Sequence, residues 1–413
     1  MTRVPGYSAV VFALVAATSF VRACGPAGPA DTSLQDRASA LARRILILDS
    51  HMDVPYRLTA RMADISERTF TTDFDYPRAR EGGLKAAFLA VYVPQRLEEA
   101  GGALEHALRQ IALVEGLVKR SPGKFAFART PDEVRSRLGG SQVLFSLGME
   151  NGIPLEHDLR NVRMFFDRGI RYITLVHARD NSLADASFDT THTWGGLSPF
   201  GREVIGEMNR VGMIIDVSHM SDSAFTQTLR LSTAPVVATH SSCRAFTPGL
   251  ERNMSDEMIR ELAAHGGVIQ INFASSFLVD SIRQQMATIG DSVGQYLREH
   301  NLHHLDEKAV EYTRSYRREK GVPYADVRDI AKHIDHVAKL VGVDYVGLGS
   351  DFEGLGDDLP TGMKDVTGYP NLIRELLLLG YDEPAIEKIC GGNFLRVWEE
   401  VLRSARLERS SEE

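Results

Sequence analysis

Short apolar runs alternate with longer amphipathic patterns along most of the chain. Eight runs rich in β-branched residues predict strands, and helical patterns lie between and after them. The predicted strands span residues 45–48, 86–93, 143–147, 172–176, 213–217, 235–239, 268–273 and 345–348. Alternating strands and helices indicate a parallel sheet, and eight strands are the number that closes a (β/α)8 barrel. The sequence therefore predicts an α/β fold of the TIM-barrel type.

The connection between the seventh and eighth predicted strands is too long for a simple βα loop. Residues 274–343 carry predicted helices over 285–299 and 325–340. We interpret this segment as a helical insertion in the seventh βα loop, because long unstructured connections are uncommon in compact domains. No shift in composition marks a second domain, so residues 41–406 are predicted to form one barrel domain and residues 407–413 a polar tail.

The first residues have the pattern of a processing signal. Arg3 precedes a mostly apolar run over residues 7–21, which is short for a membrane span, and Ala23 and Cys24 follow. Residues 1–23 are predicted to be a signal peptide, and residues 24–40 a flexible tether. The segment also resembles a bacterial lipobox with Cys24 as the lipid acceptor; plain secretion and an uncleaved anchor are the alternatives. We expect an exported protein, periplasmic, attached to a membrane or secreted.

Charge and cysteine content exclude several functions. The chain has 47 basic and 55 acidic residues and a net charge of −8, so it lacks the basic footprint of a nucleic-acid-binding protein. Its three cysteines, Cys24, Cys243 and Cys390, are too few and too scattered for a disulfide framework or a thiolate zinc site. Any metal ion must therefore be held by histidine and carboxylate side chains.

Polar residues follow the predicted strands at their carboxyl ends, which meet at one mouth of a barrel. These candidate site residues are His51, Asp53, Glu150, His177, His219, His240 and Asp351. His51 and Asp53 are two residues apart, so in an extended chain both side chains point to the same face. Imidazole and carboxylate groups bind zinc and similar ions, and two such ions about 3.5 to 4 Å apart generate hydroxide and polarise a carbonyl oxygen.

Each of these residues taken singly has a structural alternative, such as a hydrogen-bonded histidine or a turn. Their co-location after six strands favours a metal site suited to hydrolysis. The other histidines fall in predicted helices or loops, where we interpret them as solvated or capping residues; they are His106, His157, His192, His265, His300, His303, His304, His333 and His336. Tyr92 and Trp194 are each either pocket-lining or packing aromatic residues.

A series of motifs resembles the membrane dipeptidase family, also called renal dipeptidase-like or M19 peptidases, of the amidohydrolase superfamily. The motifs are DSHMDVPYR, GMENG, LVHARDNSLAD, DVSH, ATHSS, ERN, GLGSDFEG and GGNFLRV, in that order from about residue 45 to about residue 401. The resemblance implies a distorted (β/α)8 barrel with a binuclear zinc site. It is compatible with a homodimer, although no cysteine matches those that link chains in the animal enzymes.

The resemblance also implies a role for each matching residue. His51 and Asp53 match ligands of the first metal, Glu150 matches the carboxylate that bridges both metals, and His219 and His240 match ligands of the second. His177 matches a histidine that contacts substrate near the scissile carbonyl, Arg252 a substrate-binding arginine, and Asp351 an aspartate that handles protons. The chain departs from the family pattern in a spacing from His240 to Arg252 that is one residue longer than in animal members, and in Glu353, where Asp is commoner.

These observations predict an exported zinc dipeptidase acting on short peptides, including those with a C-terminal D-residue. Arg252 would bind the terminal carboxylate through two parallel N–H groups; a surface salt bridge with Glu251 or Asp256 is its structural alternative. A first alternative function is another amidohydrolase reaction, on lactones, phosphoesters or β-lactams. Those relatives commonly open with HxH, and several bridge their metals with a carbamylated lysine, whereas no lysine follows the third or fourth predicted strand. A second alternative is a non-catalytic peptide-binding lipoprotein.

Overall fold

The computed structural model describes residues 1–2 and 29–412, and within them nine parallel strands form one sheet. The strands are β1 Leu48–Met52, β2 Ala86–Tyr92, β3 Phe125–Phe127, β4 Val143–Glu150, β5 Ile170–Thr174, β6 Ile214–Asp216, β7 Val237–Ser241, β8 Val268–Ile271 and β9 Val346–Leu348. Their order is β1-β2-β4-β5-β6-β7-β8-β9, with β3 paired to β4 beside that path. The short β3 was not predicted.

The two ends of this sheet approach each other and nearly close a barrel. Ser50 Oγ in β1 donates a hydrogen bond of 3.0 Å to the carbonyl oxygen of Leu348 in β9. Just beyond the two strands, the backbone N–H of Asp53 donates to Phe352 O at 2.8 Å, and that of Asp351 donates to His51 O at 3.0 Å. The predicted eight-stranded, TIM-like α/β barrel is thereby confirmed.

The helices of this part of the chain lie mainly around the sheet and in its connections. They are α1 Pro29–Arg44, α2 Val54–Ala60, α3 Tyr76–Gly82, α4 Arg96–Ala100, α5 Ala103–Arg120, α6 Pro131–Ser136, α7 Arg160–Asp167, α8 Pro199–Val211, α9 Asp222–Leu231, α10 Asp256–Ala264, α11 Ser275–Leu278, α12 Asp280–Glu299, α13 Glu307–Glu319, α14 Val327–Val341, α15 Tyr369–Leu378, α16 Glu383–Glu387 and α17 Asn393–Glu412. In the described residues, none of them is both long enough and apolar enough to cross a bilayer.

Local sequence sets where several helices begin and end. The hydroxyl of Ser198 accepts a hydrogen bond from Gly201 N and caps α8, whose first residue is Pro199. Gly212, with φ of 84°, ends the same helix in the left-handed conformation that glycine adopts without a Cβ clash. Ser255 caps α10 in the same way, as its position before an amphipathic run predicts.

The long connection after β8 is helical, as predicted, but its division differs from the prediction. It contains α11, α12, α13 and α14, and α13 was not anticipated because its sequence is strongly polar. Helix α14 buries an apolar face that includes Ile330, Ile334 and Val337, and it packs between α10 and α15. It therefore occupies the place of a regular barrel helix, and the inserted part is α11 to α13.

Parts of the predicted tether and tail are helical in the described residues. Residues 29–40 of the predicted tether belong to α1, which packs on α15 through the buried side chains of Ala38, Leu41 and Ala42. That spacing of three and four residues forms the apolar stripe of a helix. The predicted tail likewise continues α17 to Glu412. Residues 3–23 of the predicted signal, and Cys24, lie outside the described residues.

Candidate metal centre

The strands bring the seven candidate residues that follow predicted strands to one end of the barrel. His51 and His240 lie in β1 and β7, and Glu150 is the last residue of β4. Asp53, His177, His219 and Asp351 follow their strands within a few residues. Strand β1 starts later than predicted, at Leu48, so it contains buried polar residues that an apolar run does not reveal.

The carboxylate of Glu150 lies at the centre of four imidazoles. Its Oε1 is 3.1 Å from His219 Nε2, 3.2 Å from His240 Nε2 and 3.6 Å from His177 Nε2. Its Oε2 is 3.6 Å from His51 Nε2. One oxygen of Glu150 thus faces His51, and the other faces His177, His219 and His240. A ligand that bridges two cations requires such an arrangement.

Three groups of side chains have potential ligand atoms within 4.8 Å of one another. They are His51 with Glu150 and His240, Glu150 with His177 and His219, and His51 with Asp53 and Asp351. Glu150 belongs to two groups, and His51 also belongs to two. His240 therefore shares a group with His51. The resemblance instead assigns His240 to the same metal ion as His219.

Unpartnered buried atoms show that the donor set suits a cation. His51 Nε2 and Asp53 Oδ1 are buried and have no hydrogen-bond partner among the described residues. Buried polar atoms without a partner are costly and uncommon in proteins. Nitrogen and carboxylate oxygen are also the donors that zinc and related ions prefer. The cluster therefore fits a binuclear metal site.

Burial and neighbouring charges set the protonation of this cluster. Burial lowers the pKa values of His219 and His240 well below their usual range, and the Arg252 guanidinium acts in the same direction. Burial alone would raise the pKa of Glu150, but the imidazoles around it, His177 and His51 foremost, hold it well below its usual range. Neutral imidazoles around an ionised carboxylate are the forms that bind a metal ion.

His51 differs because it faces two carboxylates. Burial would lower its pKa, but Glu150 and Asp53 together raise it well above the usual range. The two carboxylates thus favour the protonated ring, and a cation bound by this ring competes with that proton.

Two histidines are oriented by groups behind them. His51 Nδ1 lies 2.9 Å from the hydroxyl of Tyr172, and His240 Nδ1 lies 2.8 Å from Thr239 Oγ1. The Thr239 hydroxyl also lies 2.6 Å from a carboxylate oxygen of Asp216. Such contacts fix the ring tautomer and aim the other nitrogen at the metal. Tyr172 lies inside a predicted strand and has no sequence signal that would mark this role.

Asp351 is held beside the cluster in a restricted conformation. Its φ is 64°, a left-handed value that is uncommon for a residue other than glycine. Asn272 Nδ2 donates a hydrogen bond of 2.8 Å to Asp351 Oδ2. Burial raises the pKa of Asp351 well above its usual range, and the charge of Asp53 adds to the rise. This carboxyl group is therefore suited to taking up a proton.

Arg252 is 2% exposed and points towards His219 and His240. Its Nη2 lies 3.1 Å from His219 Nε2 and donates to His240 O at 2.6 Å, and its Nε has no hydrogen-bond partner in the described residues.

The surface salt bridge of Arg252 with Glu251 or Asp256, considered as its structural alternative, is therefore wrong. Glu251 instead accepts from Asp222 N, and Asp256 pairs with His336.

A cavity of about 480 Å³ opens onto the cluster, within the usual range of small-molecule sites. Its walls include predicted site residues and several that sequence patterns did not mark, namely Tyr56, Arg96, Phe188, Phe277, His303 and His304. His303 and His304 belong to the insertion rather than to a strand end, and both line the cavity; His304 is exposed, as its interpretation as a solvated residue predicts. Tyr92 lines this cavity, whereas Trp194 is not part of its wall.

A nearly closed (β/α)8 barrel with a histidine and carboxylate cluster at the carboxyl ends of its strands defines a metal-dependent hydrolase. Within that class, the chain belongs to the membrane dipeptidase family, peptidase family M19, whose profile matches residues 35–412. It is a metallo-dipeptidase, and the predicted family is confirmed.

Curated and solved relatives are similar over most of their length. Dipeptidase 3 of Mus musculus is 30% identical over 383 residues, which cover 90% of this chain and 67% of the mouse protein. A crystal structure described as the probable dipeptidase PvdM of Pseudomonas aeruginosa is 28% identical, with a TM-score of 0.76 over 90% of this chain and 99% of that one. A metallo peptidase from Rhodobacter sphaeroides, liganded with a phosphinate mimic of the dipeptide L-Ala-D-Ala, is 27% identical, with a TM-score of 0.70 over 87% of this chain and 99% of that one.

Proposed function

We propose that this metallo-dipeptidase uses two zinc ions to hydrolyse dipeptides that have a free C-terminus, including dipeptides with a C-terminal D-residue. The observation that carries the proposal is the position of Glu150 among four imidazoles, with buried His51 Nε2 left without a hydrogen-bond partner among the described residues. The phosphinate mimic of L-Ala-D-Ala in the Rhodobacter sphaeroides relative supports the tolerance for a D-residue.

The cluster divides into two sets of ligands. We assign His51 and Asp53 to the first ion, His219 and His240 to the second, and Glu150 to both. When bound, the two ions supply Lewis-acid chemistry, since they lower the pKa of water towards neutrality and polarise a carbonyl group.

Asp351 is the proton-transfer group of this proposal. Its raised pKa lets the carboxylate accept a proton from the attacking water, and the same oxygen then returns that proton to the leaving amine. Asn272 donates a hydrogen bond of 2.8 Å to Asp351 Oδ2 and so fixes the orientation of this carboxyl group.

His177 is the group that stabilises negative charge on the substrate oxygen. Burial lowers its pKa, so the ring is neutral near pH 7 and donates a single N–H. Its side chain is 26% exposed and lines the cavity beside Glu150, and Tyr92 packs against it with ring centroids 4.8 Å apart. A fixed donor at this position stabilises charge that develops during attack on the carbonyl.

Arg252 binds the C-terminal carboxylate of the substrate. Its guanidinium lies in the cavity wall, and its own contacts are with neutral atoms of Ser241, His240 and His219, so its charge is available to an anion. A planar guanidinium offers two parallel donors to a carboxylate. This contact favours dipeptides over peptides whose C-terminus is blocked.

The test combines metal analysis with a substrate panel on protein purified without residues 1–23. We expect about two zinc ions per chain and release of amino acids from L,L- and L,D-dipeptides, with activity lost on chelation. Glu150→Gln should lose metal and activity together. Asp351→Asn should keep its metal while kcat falls by about 10² to 10⁴. Bound metal without turnover of any dipeptide would overturn the peptidase assignment and direct attention to lactones and phosphoesters.

Export and lipid attachment at Cys24 form a separate proposal that rests on the sequence of residues 1–24. With the full chain expressed in a bacterial host, fatty-acid labelling should be present in the wild type and absent from Cys24→Ser. An exported but unlabelled wild type would favour plain secretion. The family resemblance further supports a homodimer, which light scattering of the purified protein tests.

A further inference from the structure

Arg96 is a cation in the wall of the active-site cavity that has no acidic partner among residues 29–412. It is the first residue of α4, in the connection after β2, and its side chain is exposed. Within the same residues it has neither an ion pair nor a side-chain hydrogen bond. The nearby Glu98 is already engaged, since its oxygens accept from Ser182 N at 2.8 Å and Gln95 Nε2 at 2.6 Å.

The acidic residues of the same cavity are committed to the metal centre. Asp53 Oδ2 is 3.7 Å from His51 Nε2, and Glu150 is surrounded by imidazoles. Asp351 accepts a hydrogen bond from Asn272. The charge of Arg96 is therefore not neutralised from within the cavity wall.

Aromatic groups form the wall next to Arg96. Tyr56 and Tyr92 pack edge to face with centroids 4.8 Å apart, and both line the cavity. Arg96 follows Tyr92 by four positions in the connection after β2, and it lines the same cavity as both tyrosines.

A row of rings connects the surroundings of Arg96 to Arg252. The centroid of Tyr92 is 4.8 Å from that of His177, and the centroid of His177 is 4.4 Å from that of His219. His219 in turn contacts Arg252 at 3.1 Å. The two guanidinium groups therefore belong to opposite ends of this row, with His177 between them.

The positions of the two cations orient a bound dipeptide. On the proposed function, Arg252 takes the C-terminal carboxylate and His177 faces the scissile carbonyl, so the N-terminal residue extends towards Tyr92 and Arg96. We propose that Arg96 binds the side-chain carboxylate of this residue, and that the preferred substrates are dipeptides with N-terminal glutamate or aspartate. The planar guanidinium suits a carboxylate, and Tyr56 and Tyr92 suit the methylene groups of the same side chain.

The experiment compares isosteric substrates on the zinc-loaded enzyme. We measure kcat/KM for Glu-Ala and Gln-Ala, for Asp-Ala and Asn-Ala, and for Lys-Ala, with the wild type, Arg96→Gln and Arg96→Glu. The wild type should favour Glu-Ala over Gln-Ala by about two- to fivefold, the effect of one charge pair at an exposed side chain. Arg96→Gln should bring this ratio close to one, mainly through KM, and Arg96→Glu should favour Lys-Ala over Glu-Ala.

The matched control is Arg109→Gln, which removes the same charge from an exposed position on α5 that is not part of the cavity wall. Its substrate ratios should equal those of the wild type. Equal kcat/KM for Glu-Ala and Gln-Ala in the wild type, or a preference that survives Arg96→Gln, would overturn the inference while the dipeptidase assignment stands. No hydrolysis of any dipeptide by the zinc-loaded wild type would overturn both.

Discussion

The hydroxyl of Tyr172 lies 2.9 Å from His51 Nδ1, and both side chains are fully buried. This contact fixes the ring so that Nε2 faces Glu150 and Asp53. The tyrosine ring fits beneath the metal centre only because residue 148 is glycine. A Cβ at Gly148 would lie 2.0 Å from Tyr172 Cζ. One glycine of the GMENG motif thus makes room for the group that orients a metal ligand.

Tyr172→Phe tests the orienting contact. Phenylalanine fills nearly the same space, so the fold should persist, while the affinity for zinc should fall by about 10- to 100-fold. Competition with a chromophoric chelator measures this affinity. The control is Tyr345→Phe, which changes a tyrosine that precedes β9, at the opposite end of the barrel. Equal zinc affinity in Tyr172→Phe and the wild type would show that the hydroxyl does not orient the ligand.

Gly148→Ala tests the close approach of the glycine to the ring. The added methyl group must displace a fully buried tyrosine, so the free energy of unfolding should fall by about 1 to 3 kcal/mol. Chemical denaturation measures this change. Gly206→Ala is the matched control, because Gly206 lies in α8 where an added Cβ would meet no neighbouring atom within 4 Å, and its replacement should be neutral or stabilising. Equal stability of Gly148→Ala and the wild type would contradict the packing argument.

Glu353 anchors the segment that carries Asp351. Its Oε1 accepts hydrogen bonds from the backbone N–H groups of Asp73 at 2.6 Å and Phe74 at 2.8 Å. Asp73 Oδ2 accepts in return from Glu353 N at 3.1 Å. Burial raises the pKa of Glu353 well above its usual range, and the charge of Asp73 adds to the rise.

Glu353→Ala should therefore lower both stability and kcat. It leaves the buried N–H group of Phe74 and the part-buried one of Asp73 unpaired, at about 1 to 3 kcal/mol for the buried group, and it loosens the backbone that positions Asp351. Urea unfolding and steady-state kinetics measure the two effects. Glu353→Gln is the control, because a neutral amide oxygen can still accept from the same donors. If Glu353→Gln is as impaired as Glu353→Ala, the role of Glu353 requires its charge rather than these hydrogen bonds.

His333 should make stability depend on pH. Its Nδ1 accepts from Cys243 N at 3.1 Å and its Nε2 lies 3.0 Å from Leu278 O, so the folded state needs the neutral ring. Burial lowers its pKa from the ordinary value of 6.5 to about 4. Between these values the unfolded chain binds the extra proton, so stability present above pH 6.5 is lost as the pH falls towards 4.

The comparison of His333→Gln with the wild type measures this contribution. From pH 7 to pH 4.5 the wild type should lose about 2 to 3 kcal/mol more of its free energy of unfolding than the variant. His300→Gln, at an exposed histidine, is the control and should show the pH dependence of the wild type. Parallel pH profiles for His333→Gln and the wild type would contradict the prediction. The structure also corrects the interpretation of His333 as a solvated or capping residue, since it is 1% exposed.

Sequence patterns predicted the parts of the fold that depend on residues close to one another in the sequence. Apolar β-branched runs marked the eight barrel strands, and the residues that bring metal-binding chemistry to the mouth, such as His51 and Glu150, lie at or just beyond them. The three-residue β3 and the polar α13 escaped prediction because neither carries a strong apolar pattern. Arg96 and His303 escaped because loops and an insertion, rather than strand ends, bring them to the cavity.

The sequence by itself determined the barrel, the family and the residues that meet at its mouth, because strand periodicity and the position after each strand are local properties. Only the tertiary structure decided how those residues face one another. The orientation of His51 depends on Tyr172, 121 positions away, and that of Asp351 on Asn272, 79 positions away. Such contacts depend on packing between distant segments, which no local pattern records.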